Sequence, residues 1–195
     1  MCGIVGLFAK TKSFEKQLGC YFSSMLNEMT DRGPDSAGCA IYHNVTAANE
    51  LKIVAMSKVP LSKNELLAAI KQSFPEASVQ ELKSLHFLIT LKGKSKEAIL
   101  ELNRCFPDLT VLSSGSSIEI YKAEGLPKNL LDKFSISSMS GAHALGHTRM
   151  ATESAITTAH SHPFSTGDDL CLVHNGSLSN HNRLRTKLQK EGIYF

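Results

Sequence analysis

A single globular domain that mixes helices and strands is what the 195 residues predict, and three observations carry that expectation. Residues 2–9 hold the β-formers Ile4, Val5, Leu7 and Phe8, with Gly3 and Gly6 leaving room for close backbone approach, and read as a buried strand. Residues 14–29 place Leu18, Tyr21, Phe22, Met25, Leu26 and Met29 at helical spacing, the mark of an amphipathic helix. The segment TDRGPDSAG then crowds Asp31, Gly33, Pro34, Asp35 and Gly38 into a turn, and CAIYHNV resumes strand chemistry.

Residues 50–138 have a different texture, rich in lysine and without a glycine-dense turn cluster. NELLAAIKQSF predicts a helix, LHFLITLK a strand, KSKEAILELNRCF a second helix, LTVLSS and SIEIYKA two strands around an SSGSS turn, and PKNLLDKF a short helix opening at proline. The span reads as a small α/β insertion. From Ser137 onward Gly, His, Thr and Ser dominate, followed by the strand DLCLVHNG and a helix beginning in SLSNHNRLRTKLQKEG. The closing GIYF reads as a glycine helix stop and the opening of a further strand, so the domain is expected to be incomplete at its C-terminus.

Composition narrows the function classes. Twenty-one basic against 18 acidic residues give a formal charge of only +3, and the charges are scattered, which offers no footprint for nucleic acid or an acidic membrane. No stretch approaches the about 18 apolar residues of a membrane span, and CGIVGLFA, which stops at Lys10, lacks the basic region and cleavage site of a signal peptide. A cytoplasmic protein is expected. Five cysteines without close pairing (Cys2, Cys20, Cys39, Cys105, Cys171) argue against a disulfide framework or a zinc cage.

Cys2 is the most informative residue. Removal of Met1 would leave a cysteine carrying thiol and α-amine on one carbon. A free thiol ionises near ~8.5 and an α-amine near ~7.7–8.0, so the amine is a base suited to neutral pH and tethered where it can take the thiol proton. One residue would then supply both nucleophile and base.

MCGIVGLF at 1–8, DRGPDSAG at 31–38, GHTRMAT at 146–152, HSHPF at 160–164 and HNGSLSN at 174–180 together resemble, in order, the class II glutamine amidotransferases, which are N-terminal-nucleophile hydrolases. The wording of the first segments is most similar to stand-alone subunits related to the N-terminal part of glutamate synthase, including those of N-methylglutamate synthase systems. The resemblance covers residues 1–50 and 139–195. It implies the α+β fold class, as a four-layer αββα sandwich of two largely antiparallel sheets with helices outside, carrying the 50–138 insertion at one edge. It also implies hydrolysis of L-glutamine to glutamate and ammonia through a thioester on Cys2, with Asn175 and Gly176 forming the oxyanion hole. Arg149 would hold the substrate carboxylate, a task that suits a planar guanidinium. Thr152 would line the same pocket, and Arg32 would support the nucleophile from the RG turn. Two positions depart from the family pattern: Met150 replaces a usual aromatic, and Glu153 stands where a subset has His. The carboxylate that holds the substrate ammonium in relatives is expected beyond Phe195.

Six of the eight histidines fall between residues 143 and 181, and HSH at 160–162 could seat zinc. No spaced carboxylate or cysteine partner accompanies it, and the family needs no metal or other cofactor, so His147, His162 and His174 are expected to hydrogen-bond the backbone around the pocket. With no phosphate-binding loop or flavin motif in the chain, the ammonia is expected to pass to synthase subunits on other chains. Two rivals stand beside this reading: another N-terminal-nucleophile amide hydrolase, which would not need Arg149, and a catalytically silent regulatory or assembly subunit.

Overall fold

A computed structural model describes residues 2–151, 157–176 and 179–192. The chain opens with strand β1 (Gly3–Phe8) and then forms helices α1 (Lys12–Glu15) and α2 (Leu18–Asn27) where one helix is expected over 14–29. The interruption has a local cause. The Glu15 carbonyl accepts from the Gly141 N–H (3.0 Å), and the Gly19 N–H donates to the Met139 carbonyl (2.9 Å), so the bond that would join the two helices is given to a distant segment. Leu18, Phe22 and Leu26 still form one buried stripe on α2. A short 3-10 helix, Thr30–Arg32, leads from Met29 towards strand β2 (Ser36–Tyr42).

The middle of the chain contains β3 (Glu50–Ser57), α3 (Lys63–Ile70), β4 (Ser78–Glu81), β5 (His86–Lys92), α4 (Ser95–Cys105), β6 (Leu109–Gly115), β7 (Ile118–Glu124) and α5 (Pro127–Lys133). Ser62 caps α3 by accepting from the Glu65 N–H, and Pro127 opens α5. The remainder comprises β8 (His143–Arg149), the short strands β9 (Phe164–Gly167) and β10 (Leu170–Leu172), and α6 (His181–Lys190). The expected strand opening over GIYF falls mostly on residues 193–195, outside the described part.

The strands form a sheet ordered β1-β8-β2-β7, a sheet ordered β4-β5-β3-β6, and the β9–β10 ribbon. Every strand pairing among the described residues is antiparallel, compatible with the α+β class. Side-chain alternation sorts the apolar residues into three clusters. Leu18, Phe22, Leu26 and Leu130 of α2 and α5 pack on Val5, Cys39, Ile41, Ala123 and Ala144 of the first sheet. Ala40, Ile118 and Ile120 on its other face meet Val54, Met56 and Leu112 of the second. The far face of the second sheet, with Ile53, Phe87 and Ile89, is covered by Leu66, Ile70, Ala98 and Leu102 of α3 and α4. The layers therefore run helix, sheet, sheet, helix.

β6 and β7 flank the SSGSS turn without pairing as a hairpin; β6 joins the second sheet and β7 the first. The turn is held by Asp169, from the β9–β10 connection. Its carboxylate accepts from the N–H groups of Ser116, Ser117 and Ile118 at 2.7–3.0 Å and from both serine hydroxyls at 2.8 Å. Of the 50–138 span, residues through β6 build the second sheet, while β7 and α5 add to the first sheet and its helical layer.

A buried ionic cluster ties the sheets together. Lys52 of β3 donates to Glu119 Oε1 of β7 (2.6 Å) and to the His43 carbonyl (2.7 Å), while His43 Nε2 lies 3.1 Å from Glu119 Oε2, which also accepts from the Tyr121 hydroxyl. Burial by itself would raise the Glu119 pKa, but His43, Lys52 and Tyr121 outweigh it and hold the carboxylate well below its usual range. A carboxylate depressed in the folded state contributes stability that is fully present above its unfolded pKa of about 4.3 and is lost as pH falls towards the folded value. The resistance of the wild type to urea should therefore fall as pH drops below about 4.3, and Glu119→Gln should flatten that dependence. At pH 7 the variant should lose about 3–5 kcal/mol, because Lys52 is left buried without its counter-charge. The double change Lys52→Met with Glu119→Leu should recover most of that loss, and an equal pH slope in wild type and Glu119→Gln would contradict this account.

Candidate active site

The site grows from β8, an inner strand of the first sheet. In β8, Ala144 packs in the helical cluster and the Thr148 hydroxyl donates to the Met29 carbonyl (3.1 Å), so alternation turns His147 and Arg149 to the opposite face. β8 is paired on both sides. Ile4 and Gly38 stand opposite His147, Thr148 faces Gly3, and Arg149 faces Ser36. This ladder brings Cys2, one residue before β1, to the end of β8. Its Sγ lies 3.4 Å from the Met150 N–H nitrogen and 3.8 Å from the Met150 carbonyl. Arg149 is 8% exposed at the same strand end.

The RG turn reaches this point through Asp35, a residue that sequence reasoning left without a role. Its N–H donates to the Arg149 carbonyl (3.1 Å), and its carboxylate accepts from the Ala151 N–H (2.7 Å), which fixes the backbone on both sides of Met150. Arg32 is solvent-exposed in the 3-10 helix that precedes the turn. Thr152 and Glu153 lie outside the described residues.

The segment after Thr157 lies over the face of the first sheet that is turned away from α2 and α5, the face that carries Gly38, Ala40 and Ile120. The His162 carbonyl rests directly over Gly38, where a Cβ would come within 2.1 Å of it, so only glycine admits this close approach. The His162 ring stacks on His147 (centroids 4.6 Å apart) and meets Phe164 edge-on at the same separation. Lys122 of β7 lies buried on this face with Nζ 4.3 Å from the Phe164 centroid. Burial lowers the Lys122 pKa to about 8. Burial first, then the charges of His147 and Lys122, bring His162 down to about 4.

Asn175 closes the arrangement. Its Nδ2 donates to the Cys2 carbonyl (2.9 Å), and its Oδ1 lies 2.8 Å from His147 Nε2. His147 thus bonds the Asn175 side chain, and the backbone of His174 also acts on its ring, in keeping with the backbone partner that the sequence led us to expect. Burial lowers its pKa, partly offset by the bond to Asn175, which leaves a neutral ring at pH 7. Gly176 has φ +148°, a conformation open to glycine and strained for other residues, beside the ring of His174. The structure thus gathers Cys2, Arg149, Asn175 and Gly176 around one end of β8. Among the described residues, no three His, Cys, Asp or Glu side chains converge as metal ligands, and no helix is long and apolar enough to cross a membrane.

Known proteins are similar to this chain in sequence. No protein-family model matches the chain. The glutamine amidotransferase-like protein GlxB of Rhizobium meliloti (strain 1021) is 48% identical over 201 residues, covering all of this chain and 65% of that protein. A putative glutamine amidotransferase of Methanothermobacter thermautotrophicus is 31% identical over 210 residues, covering all of this chain and 67% of its own length. Part of the chain, 45%, matches 14% of the glutamine–fructose-6-phosphate aminotransferase (isomerizing) of Methanosarcina mazei, at 39% identity over 90 residues. The chain thus spans about two thirds of the length of the curated relatives that it matches from end to end. Likeness at this identity along the whole chain shows that it belongs to the class II glutamine amidotransferase family.

Proposed function

We propose that this chain hydrolyses L-glutamine to glutamate and ammonia through a thioester on Cys2, and that the ammonia passes to synthase subunits on other chains. The observation that carries the reading is the hydrogen bond from the Asn175 side chain to Cys2, which joins the two ends of the family pattern across 173 positions. The reading takes the layered fold to be the αββα sandwich of N-terminal-nucleophile hydrolases, with 50–138 as an insertion, and the protein to be cytoplasmic.

In this mechanism Met1 is removed and the Cys2 α-amine takes the thiol proton. The thiolate attacks the side-chain amide carbon of glutamine, and the carbonyl oxygen becomes an oxyanion. Asn175 has two amide protons; with one on the Cys2 carbonyl, the other is available to the oxyanion, alongside the Gly176 N–H. Collapse breaks the C–N bond. The ammonium formed on Cys2 returns its proton to the leaving nitrogen, ammonia departs, and water hydrolyses the thioester to glutamate and free thiol. Arg149 pairs with the substrate carboxylate, Thr152 lines the pocket, and Arg32 has a supporting place in its turn.

Ammonia release from glutamine by the full-length protein separates this reading from an amidase of other specificity and from a silent subunit. Intact mass should place Cys2 at the mature N-terminus; an active form that retains Met1 would refute the α-amine as base. A glutamine-mimicking diazo-ketone should label Cys2 alone. Cys39 and Cys171 are protected because burial pushes both thiols up, and Cys20 and Cys105 lie outside the site. Label mapped to any other cysteine would contradict the assignment.

Arg149→Lys should raise KM for glutamine by about 10–100-fold, as loss of the bidentate geometry of a charge-assisted pair worth about 1.5–3 kcal/mol predicts. Cys2 in this variant should still react normally with a small, uncharged alkylating agent. An unchanged KM would remove Arg149 from the pocket.

A further inference from the structure

A side-chain amide can point either way, and the choice decides whether Asn175 presents hydrogen-bond donors or an acceptor to the reacting thiol. The Cys2 carbonyl can only accept, so it selects the orientation with Nδ2 towards Cys2. Oδ1 then faces His147 Nε2 at 2.8 Å, and since Oδ1 can only accept, Nε2 carries the proton. The flipped amide would set acceptor against acceptor at the Cys2 carbonyl whatever the tautomer of His147, and donor against donor at His147 when Nε2 carries the proton.

The histidine is itself immobilised. His147 is 1% exposed on an inner strand of the first sheet, paired on both sides, and its ring is stacked under His162. Its Nδ1 makes no hydrogen bond of good geometry among the described residues, and the backbone of His174 also acts on the ring.

We propose that His147 is a positioning residue for the glutaminase reaction: as an Nε2–H donor held rigidly by β8 and His162, it locks the Asn175 amide with its donors towards Cys2. This inference rests on the function proposed above. It assigns His147 no contact with substrate.

His147→Leu removes the donor and keeps an apolar side chain in the sheet. It should lower kcat for glutamine about 10²-fold, the usual effect of losing one oriented oxyanion donor, with KM changed less than threefold. Alkylation of Cys2 by iodoacetamide should stay within twofold of wild type. His147→Gln, which can still offer an N–H, should recover kcat to within about tenfold of wild type. In an Asn175→Ala background His147→Leu should cost nothing further, because the two residues act as one unit.

Equal losses in the wild-type and Asn175→Ala backgrounds, or a change confined to KM, would overturn the proposal. A turnover-independent test is the ring nitrogen spectrum of His147. It should show the Nε2–H tautomer in the wild type and a shifted Nε2–H signal in Asn175→Ala. The Nδ1–H tautomer, or a signal indifferent to Asn175→Ala, overturns the inference. Absence of glutaminase activity in the wild type would instead overturn the function reading, while the ring spectrum would still decide the lock.

Discussion

Everything at the site depends on β8 being the shared neighbour of β1 and β2. The antiparallel ladder that pairs Gly3 with Thr148 and Ser36 with Arg149 joins β8 to two strands that each lie more than a hundred residues before it. An isolated pairing across so long a loop would be entropically poor, yet the cost of closure grows only logarithmically with length. Apolar burial offsets it. Phe22 and Leu26 pack on one side of the ladder, where Gly146 leaves room for their side chains, and the segment around His162 closes the other.

Alternation along β8 then divides labour between its faces. Ala144, Gly146 and Thr148 serve the helical layer, while His147 and Arg149 serve the site. A register slip of one residue would exchange the two sets and destroy both core and chemistry at once. The site is consequently as rigid as the core behind it. Asp35 adds a second restraint by gripping the backbone on both sides of Met150, next to the Cys2 sulfur.

The two sheets are joined by polar devices as well as by apolar packing. Glu119 gathers Lys52, His43 and Tyr121 between β3 and β7, and Asp169 takes up the N–H groups of the turn at which the chain changes sheets. Both carboxylates are held ionised against the cost of burial by donors on several sides. The same logic governs the site, where Asn175 is useful because donor and acceptor partners meet it from opposite directions.

Local chemistry by itself determined a good deal. The apolar run after Cys2, the helical stripe of Leu18, Phe22 and Leu26, the helices opening near Ser62, Ser95 and Pro127, and the five ordered motifs were legible because each depends on near neighbours in sequence. Strand β8 was not legible: HALGHTR has no apolar alternation, because one face packs small residues under helices and the other carries the site. Tertiary hydrogen bonds decided the break between α1 and α2, since Met139 and Gly141 take the groups that would have continued the helix. They also decided that β6 and β7 part into different sheets, because Asp169 replaces the partners a hairpin would have supplied. The roles open to Asp35 and His147 were hidden for the same reason. Hydrogen bonds between residues 28 to 116 positions apart leave no periodicity in a sequence, and only the folded chain brings their partners within reach.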